Sequence, residues 1–150
     1  MAIKTVGIVG AGTMGNGIAQ ACAVVGIDVV MIDISDAAVQ KGIATVAGSL
    51  DRLIKKEKAT EADKAAALAR IHGSTSYEDL KRADIVIEAA TENFDLKVKI
   101  LKQIDGIVGP DVIVASRCCA RRKSSSSACC SIHAAPPRSG WRITQASWWG

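Results

Sequence analysis

Residues 6–33 constrain the fold of this chain more than any other stretch. They read VGIVGAGTMGNGIAQACAVVGIDVVMID. An apolar run is followed by Gly10-Ala11-Gly12-Thr13-Met14-Gly15, then a helical pattern, then a second apolar run that ends in Asp33. This is G-x-G-x-x-G between a strand and a helix, inside a βαβ-sized unit, with an acid 18 residues after the last glycine. Gly10 suits the tight turn out of the strand. Gly12 leaves room for a pyrophosphate to approach the backbone, and Gly15 lets the helix pack close to the strand. The start of that helix aims unpaired N–H groups and a positive dipole end at phosphate. Asp33 can accept hydrogen bonds from the adenosine ribose. It also repels a 2′-phosphate, and Ile34, Ser35 and Asp36 bring no cation to offset that. The pattern points to NAD rather than NADP. A ligand-free glycine turn and a domain for another nucleotide are the competing readings.

Further along, periodicity predicts strands and helices in alternation. Strands are expected at 4–9, 27–33, 71–75, 84–89 and 111–116. The first helix, 13–25, should present Met14, Ile18, Ala21, Cys22 and Val25 inward and end on Gly26. Cys22 on that stripe reads as a core thiol rather than a reactive one. A long helix at 36–58, N-capped by Ser35, carries Val39, Ile43, Val46, Leu50, Leu53 and Ile54 at helical spacing. Ser49 and Lys56 lie on one flank of it. Another helix follows at 61–70, so the two form an excursion longer than a minimal crossover. Residues 77–82 read as a short helix or turn, and 94–107 as a helix with Leu96, Ile100 and Ile104 inward, stopped by Pro110. The resulting class is α/β: a Rossmann-type, doubly wound parallel sheet with a helical excursion after the second strand.

The 150 residues fit one domain. Their 49% hydrophobic content is globular, and no run approaches the ~18 apolar residues of a membrane helix. Without a secretory signal the expected compartment is the cytoplasm, with no membrane partner. The net charge of +4 conceals a break. Residues 1–116 carry 13 basic and 15 acidic groups, whereas 117–150 carry six arginines and lysines and no acid. The tail also holds all three tryptophans and four of the five cysteines. Its basicity is therefore poor evidence for a nucleic-acid surface on the folded part. Cys118-Cys119 and Cys129-Cys130 are vicinal pairs without zinc-site spacing, so no metal is expected. Periodicity stops after Ser116. Text rich in Arg, Ala, Ser, Cys, Pro, Gly and Trp is what GC-rich DNA gives out of frame. The expected division is a dinucleotide-binding domain at 1–116 and a non-native or disordered tail at 117–150.

Residues 1–116 resemble the N-terminal domain of the NAD-dependent 3-hydroxyacyl-CoA dehydrogenases. The carriers are the 6–33 stretch, ADIVIEAATENFDLKVKILKQID, and DVIVAS. The resemblance implies an oxidoreductase that interconverts 3-hydroxyacyl-CoA and 3-oxoacyl-CoA with NAD, in fatty-acid or butanoate metabolism. It implies that residues 10–15 form the pyrophosphate turn and that Asp33 binds ribose. Glu92 and Lys97 would reach toward the nicotinamide half. Ser49 and Lys56 would touch the coenzyme A part of a thioester substrate. It also implies a homodimer for the intact family, an expectation not extended to this chain. In the family the strand ending Ala115-Ser116 continues Asn-Thr-Ser-Ser, where this chain has Arg117, Cys118, Cys119 and Ala120. The family's catalytic histidine sits in Gly-x-His-Phe-x-Asn-Pro, and neither His72 nor His133 matches that context. The expectation is thus no assigned catalytic residue, no helical substrate domain within these residues, and little turnover by this chain alone. A non-catalytic NAD-binding module is the alternative, and a basic-tailed nucleic-acid binder is the third.

Overall fold

The computed structural model describes residues 3–116. The expectations for 117–150, His133 among them, lie outside the described residues. Five strands form one parallel sheet in the order β3-β2-β1-β4-β5. They are β1 (Thr5–Val9), β2 (Asp28–Ile32), β3 (Ile71–Ser74), β4 (Ile85–Glu88) and β5 (Ile113–Ser116). The helices are α1 (Thr13–Val24), α2 (Asp36–Lys55), α3 (Glu61–Ala69) and α4 (Phe94–Asp105), with a 3-10 turn at Tyr77–Arg82. The Rossmann-type α/β class expected from the alternation is what the chain adopts. Strand order reverses direction between β1 and β4, which is where ligands settle on sheets of this kind.

The central strands bury side chains on both faces, which is why they read as unbroken apolar runs. Along β2, Val29 and Met31 join Val6, Ile8, Ala19, Val46 and Leu50 on the α1–α2–α3 side. Val30 and Ile32 join Val9, Leu80, Val86, Ile100 and Ile104 on the other side. Period-two alternation thus feeds two cores from one strand. Gly26 follows the α1 C-cap at φ +89°, the left-handed conformation a glycine supplies there. A capping box between Thr60 and Asp63 starts α3. The strong hydrogen bond from the Thr60 hydroxyl, followed by the Thr60 backbone N–H, holds the Asp63 carboxyl below its ordinary range.

Three expectations are corrected. The buried side of α1 is Gly15, Asn16, Ala19 and Ala23, not the stripe of larger residues. Met14 is 40% exposed and Val25 71%. The helix lies so close to the sheet at its glycine start that only small side chains fit beneath it. In α4 the inward positions are Lys97, Ile100 and Ile104, while Leu96 is exposed. Finally, α2 ends at Lys55, three residues early, because Glu57 turns left-handed at φ 56°. Lys56 is therefore the C-cap and not a member of the helix flank that holds Ser49.

Candidate functional site

The glycine turn is set by two close approaches. Gly10 has φ +110°, and a Cβ there would stand 2.6 Å from Ala90 Cα. A Cβ on Gly15 would fall 1.8 Å from the Gly10 carbonyl oxygen. Gly12 differs, since a Cβ there would meet nothing within 4 Å beyond its own chain neighbours. It is the N-cap of α1 and offers no side-chain cap to the first turn. The helices α2, α3 and α4 are each capped by a side-chain oxygen, from Ser35, Thr60 and Asn93. The first N–H groups of α1 thus keep their donors for something outside the protein.

A cleft of about 250 Å³ opens there, lined by Gly12, Thr13 and Met14 on one wall and by Ala89, Ala90, Thr91 and Glu92 on the other. It sits at the carboxyl ends of β1 and β4, at the point where strand order reverses. Asp33 follows β2. Its Oδ2 accepts from the Ala11 N–H at 2.6 Å and its Oδ1 from the Ile34 N–H at 2.7 Å. The acid expected at the ribose is therefore joined directly to the glycine turn.

The two residues expected at the nicotinamide half part company. Glu92 is exposed on the cleft wall. Lys97 is buried, ion-paired with Glu88, and donates to the Ser116 hydroxyl at 3.0 Å. Ser49 and Lys56 are absent from the cleft lining; Ser49 is half-buried on α2 and Lys56 exposed just past its end. His72 lies exposed on β3, the edge strand, with β2 between it and β1. The Cys22 thiol is half-buried, and burial pushes its pKa up, which suits a core role. The Tyr77 phenol is pushed up as well, by burial first and then by the negative fields of Asp33 and Glu88.

Two contributors escaped the sequence reading, Glu88 and Ser116. The signal for Glu88 was present: an acid closes the otherwise apolar strand IVIE, and a charge in such a strand needs partners. Among the described residues no group of three or more His, Cys, Asp or Glu is placed to hold a metal ion. Among them, too, no helix is long and apolar enough to cross a membrane.

The family model described as 3-hydroxyacyl-CoA dehydrogenase, NAD binding domain, matches residues 5–127. The chain belongs to this family. The matched NAD-binding domain spans the glycine turn, Asp33 and the cleft at the strand reversal. The chain is 44% identical over 114 residues to 3-hydroxybutyryl-CoA dehydrogenase of Bradyrhizobium diazoefficiens, covering 76% of this chain and 39% of that one. It is 36% identical over 115 residues to the fatty acid oxidation complex subunit alpha of Colwellia psychrerythraea, covering 77% and 16%. Among solved structures, the (S)-3-hydroxybutyryl-CoA dehydrogenase of Ralstonia eutropha superposes with a TM-score of 0.76 at 85% identity, over 77% of this chain and 41% of that one. The chain therefore spans about two-fifths of the length of the dehydrogenases it matches.

Proposed function

We propose that this chain is the cofactor-holding part of an NAD-dependent 3-hydroxyacyl-CoA dehydrogenase, which interconverts a 3-hydroxyacyl-CoA and its 3-oxoacyl-CoA. The observation that carries this is the uncapped start of α1 facing a cleft at the β1–β4 strand reversal. The N–H groups around Gly12, Thr13 and Met14 bind the pyrophosphate, with Gly10 and Gly15 fixing the turn. Asp33 receives the ribose hydroxyls while still bracing Ala11. Glu92 stands on the wall toward the nicotinamide half. When bound, NAD supplies the hydride acceptor; the chain's own residues bind and orient it. Among the described residues no histidine lines the cleft, and the role given to this region is to bind and orient NAD.

The coenzyme A thioester is assigned to the α2 end, at Ser49 and Lys56. An exposed lysine suits a phosphate-bearing ligand as a point charge. Lys56→Glu then weakens acetoacetyl-CoA binding on the order of tenfold, the scale of a lost charged hydrogen bond. An unchanged affinity by calorimetry removes the contact. For the cofactor, titration of the chain by NADH and NADPH fluorescence tests the assignment. Clear preference for NADH is expected, and equal affinities overturn the role of Asp33. The cytoplasm and a homodimeric intact enzyme complete the reading, on the strength of the family.

A further inference from the structure

A carboxylate that the cofactor reading leaves unused lies at the carboxyl end of β4. Glu88 is fully buried, at 0% exposure. Its Oε1 accepts from the Ala90 N–H at 2.9 Å and the Thr91 N–H at 3.2 Å. Its Oε2 pairs with Lys97 Nζ and accepts from the Ser116 hydroxyl at 2.7 Å. One carboxylate therefore ties together the cleft wall, the first turn of α4 and the end of β5.

Stability alone is a weak reason for such a group. Desolvating two charges offsets most of their attraction, and an apolar pair of equal volume commonly holds a fold as well. What the carboxylate does that apolar atoms cannot is fix two backbone N–H groups in direction. Those groups belong to Ala90 and Thr91, which face Gly12, Thr13 and Met14 across the cleft. The walls also touch: the Ala89 N–H donates to the Val9 carbonyl at 2.8 Å, and Ala90 Cα crowds the Gly10 position. A displacement of residues 89–91 is transmitted straight into the glycine turn.

We propose that Glu88 is a positioning residue of the cofactor cleft, setting the wall at 89–91 against the glycine turn and holding the Lys97 ammonium between the ends of β4 and β5. This rests on the NAD reading above. Lys97, buried outside the cleft lining, ties α4 to the ends of β4 and β5, and Glu88 acts on the cleft through Lys97 and the wall without touching the cofactor itself.

Amide hydrogen exchange and NADH fluorescence titration on the full chain test it with Glu88→Gln, Glu88→Ala and Lys97→Met. In Glu88→Ala, exchange at Ala90 and Thr91 rises at least about tenfold, the scale of a lost charged hydrogen bond, while Ile8 and Val30 in the central strands keep their protection. Glu88→Gln keeps an acceptor for those amides and loses the ion pair. Its protection falls less, yet its NADH dissociation constant rises about tenfold, and bound-NADH emission moves toward that of free NADH. Because Glu88 acts through Lys97, the Glu88→Gln/Lys97→Met double variant binds NADH no worse than the weaker single variant. Unchanged NADH affinity and emission in a folded Glu88→Gln overturn the proposal, as does full additivity of the pair. Should Glu88→Ala fail to fold, the glutamine arm decides. If the unaltered chain binds no NADH, the cofactor reading fails on its own. Exchange at Ala90 and Thr91 still decides whether Glu88 sets the wall, and retained protection overturns that role.

Discussion

The two walls of the cleft are built by opposite means. The glycine wall is made of backbone: Gly10 and Gly15 are there because a Cβ would collide with Ala90 and with the Gly10 carbonyl. The facing wall at 89–92 is held by a side chain, the buried Glu88, whose partners come from α4 and β5. The first wall needs an absence of atoms at fixed spacing, and it is local in sequence. The second needs partners 9 and 28 residues away. Backbone sterics leave a motif, whereas a long-range polar cluster leaves only an isolated acid in an apolar run.

The comparison breaks most sharply inside the glycine wall itself. Gly15→Ala puts a methyl group 1.8 Å from a carbonyl that cannot swing away without opening the turn. The expected loss of stability is at the top of the roughly 1–3 kcal/mol range for overpacking or beyond it, read by urea unfolding. Gly12→Ala meets nothing within 4 Å beyond its chain neighbours, and its φ of −76° is ordinary for alanine. Its stability should change by no more than about 1 kcal/mol, the scale of an N-cap substitution. Its NADH affinity should nevertheless fall, because the added methyl would occupy the space that the proposed function gives to the pyrophosphate. Loss of stability in both variants, with no separate effect on NADH, would make Gly12 a folding residue like its neighbour.

Asp33 joins the two kinds of wall, since its carboxylate accepts from Ala11 in the glycine turn. On the proposed ribose role, Asp33→Ala loses that acceptor together with the observed brace, and NADH binding should weaken on the order of tenfold or more. Asp33→Ser with Ile34→Arg should move preference toward NADPH. The added guanidinium answers the 2′-phosphate, and the repelling carboxylate is gone. NADPH affinity that stays flat in the double variant would leave Asp33 with the bracing role only.

How far the sequence could be read follows the same division. The strand and helix order, the parallel class, the Ser35 cap and the left-handed Gly26 were legible, because each rests on residues within one or two turns of each other. The inward face of α1 was not. Ile18 and Cys22 only flank it while Ala19 and Ala23 fill it, since the close approach at Gly15 overrides the preference for larger apolar residues. Lys97 was expected to reach toward the nicotinamide half, and nothing local shows that it is instead buried with Glu88 and Ser116 as partners. The end of α2 was placed late because Lys55, Lys56 and Lys58 are all good helix formers, and only the backbone at Glu57 marks the break.

The mildest test concerns the opposite end of the same strand pair. Asp84 precedes β4 as Glu88 closes it, and it too accepts two backbone N–H groups through one carboxylate. Its Oδ2 takes the Thr5 N–H at 2.9 Å and the Lys4 N–H at 2.8 Å. Those bonds, from Thr5 first and Lys4 second, hold its carboxyl below the ordinary range. A carboxyl whose folded pKa is lowered contributes stability above its unfolded pKa, near 3.9, and loses it as pH falls through the folded value. Below about pH 4, amide exchange at Lys4 and Thr5, corrected for intrinsic rates, should therefore rise. Exchange in the strand centres at Ile8 and Val30 should hold. Asp84→Asn should raise exchange at those two amides at neutral pH and remove the acid dependence. If the acid loss survives in Asp84→Asn, the β1 entry is pinned by something other than this carboxylate. Local loss at Thr5 with an intact cleft at the far end would show that Asp84 fastens an entrance, whereas Glu88 shapes a site.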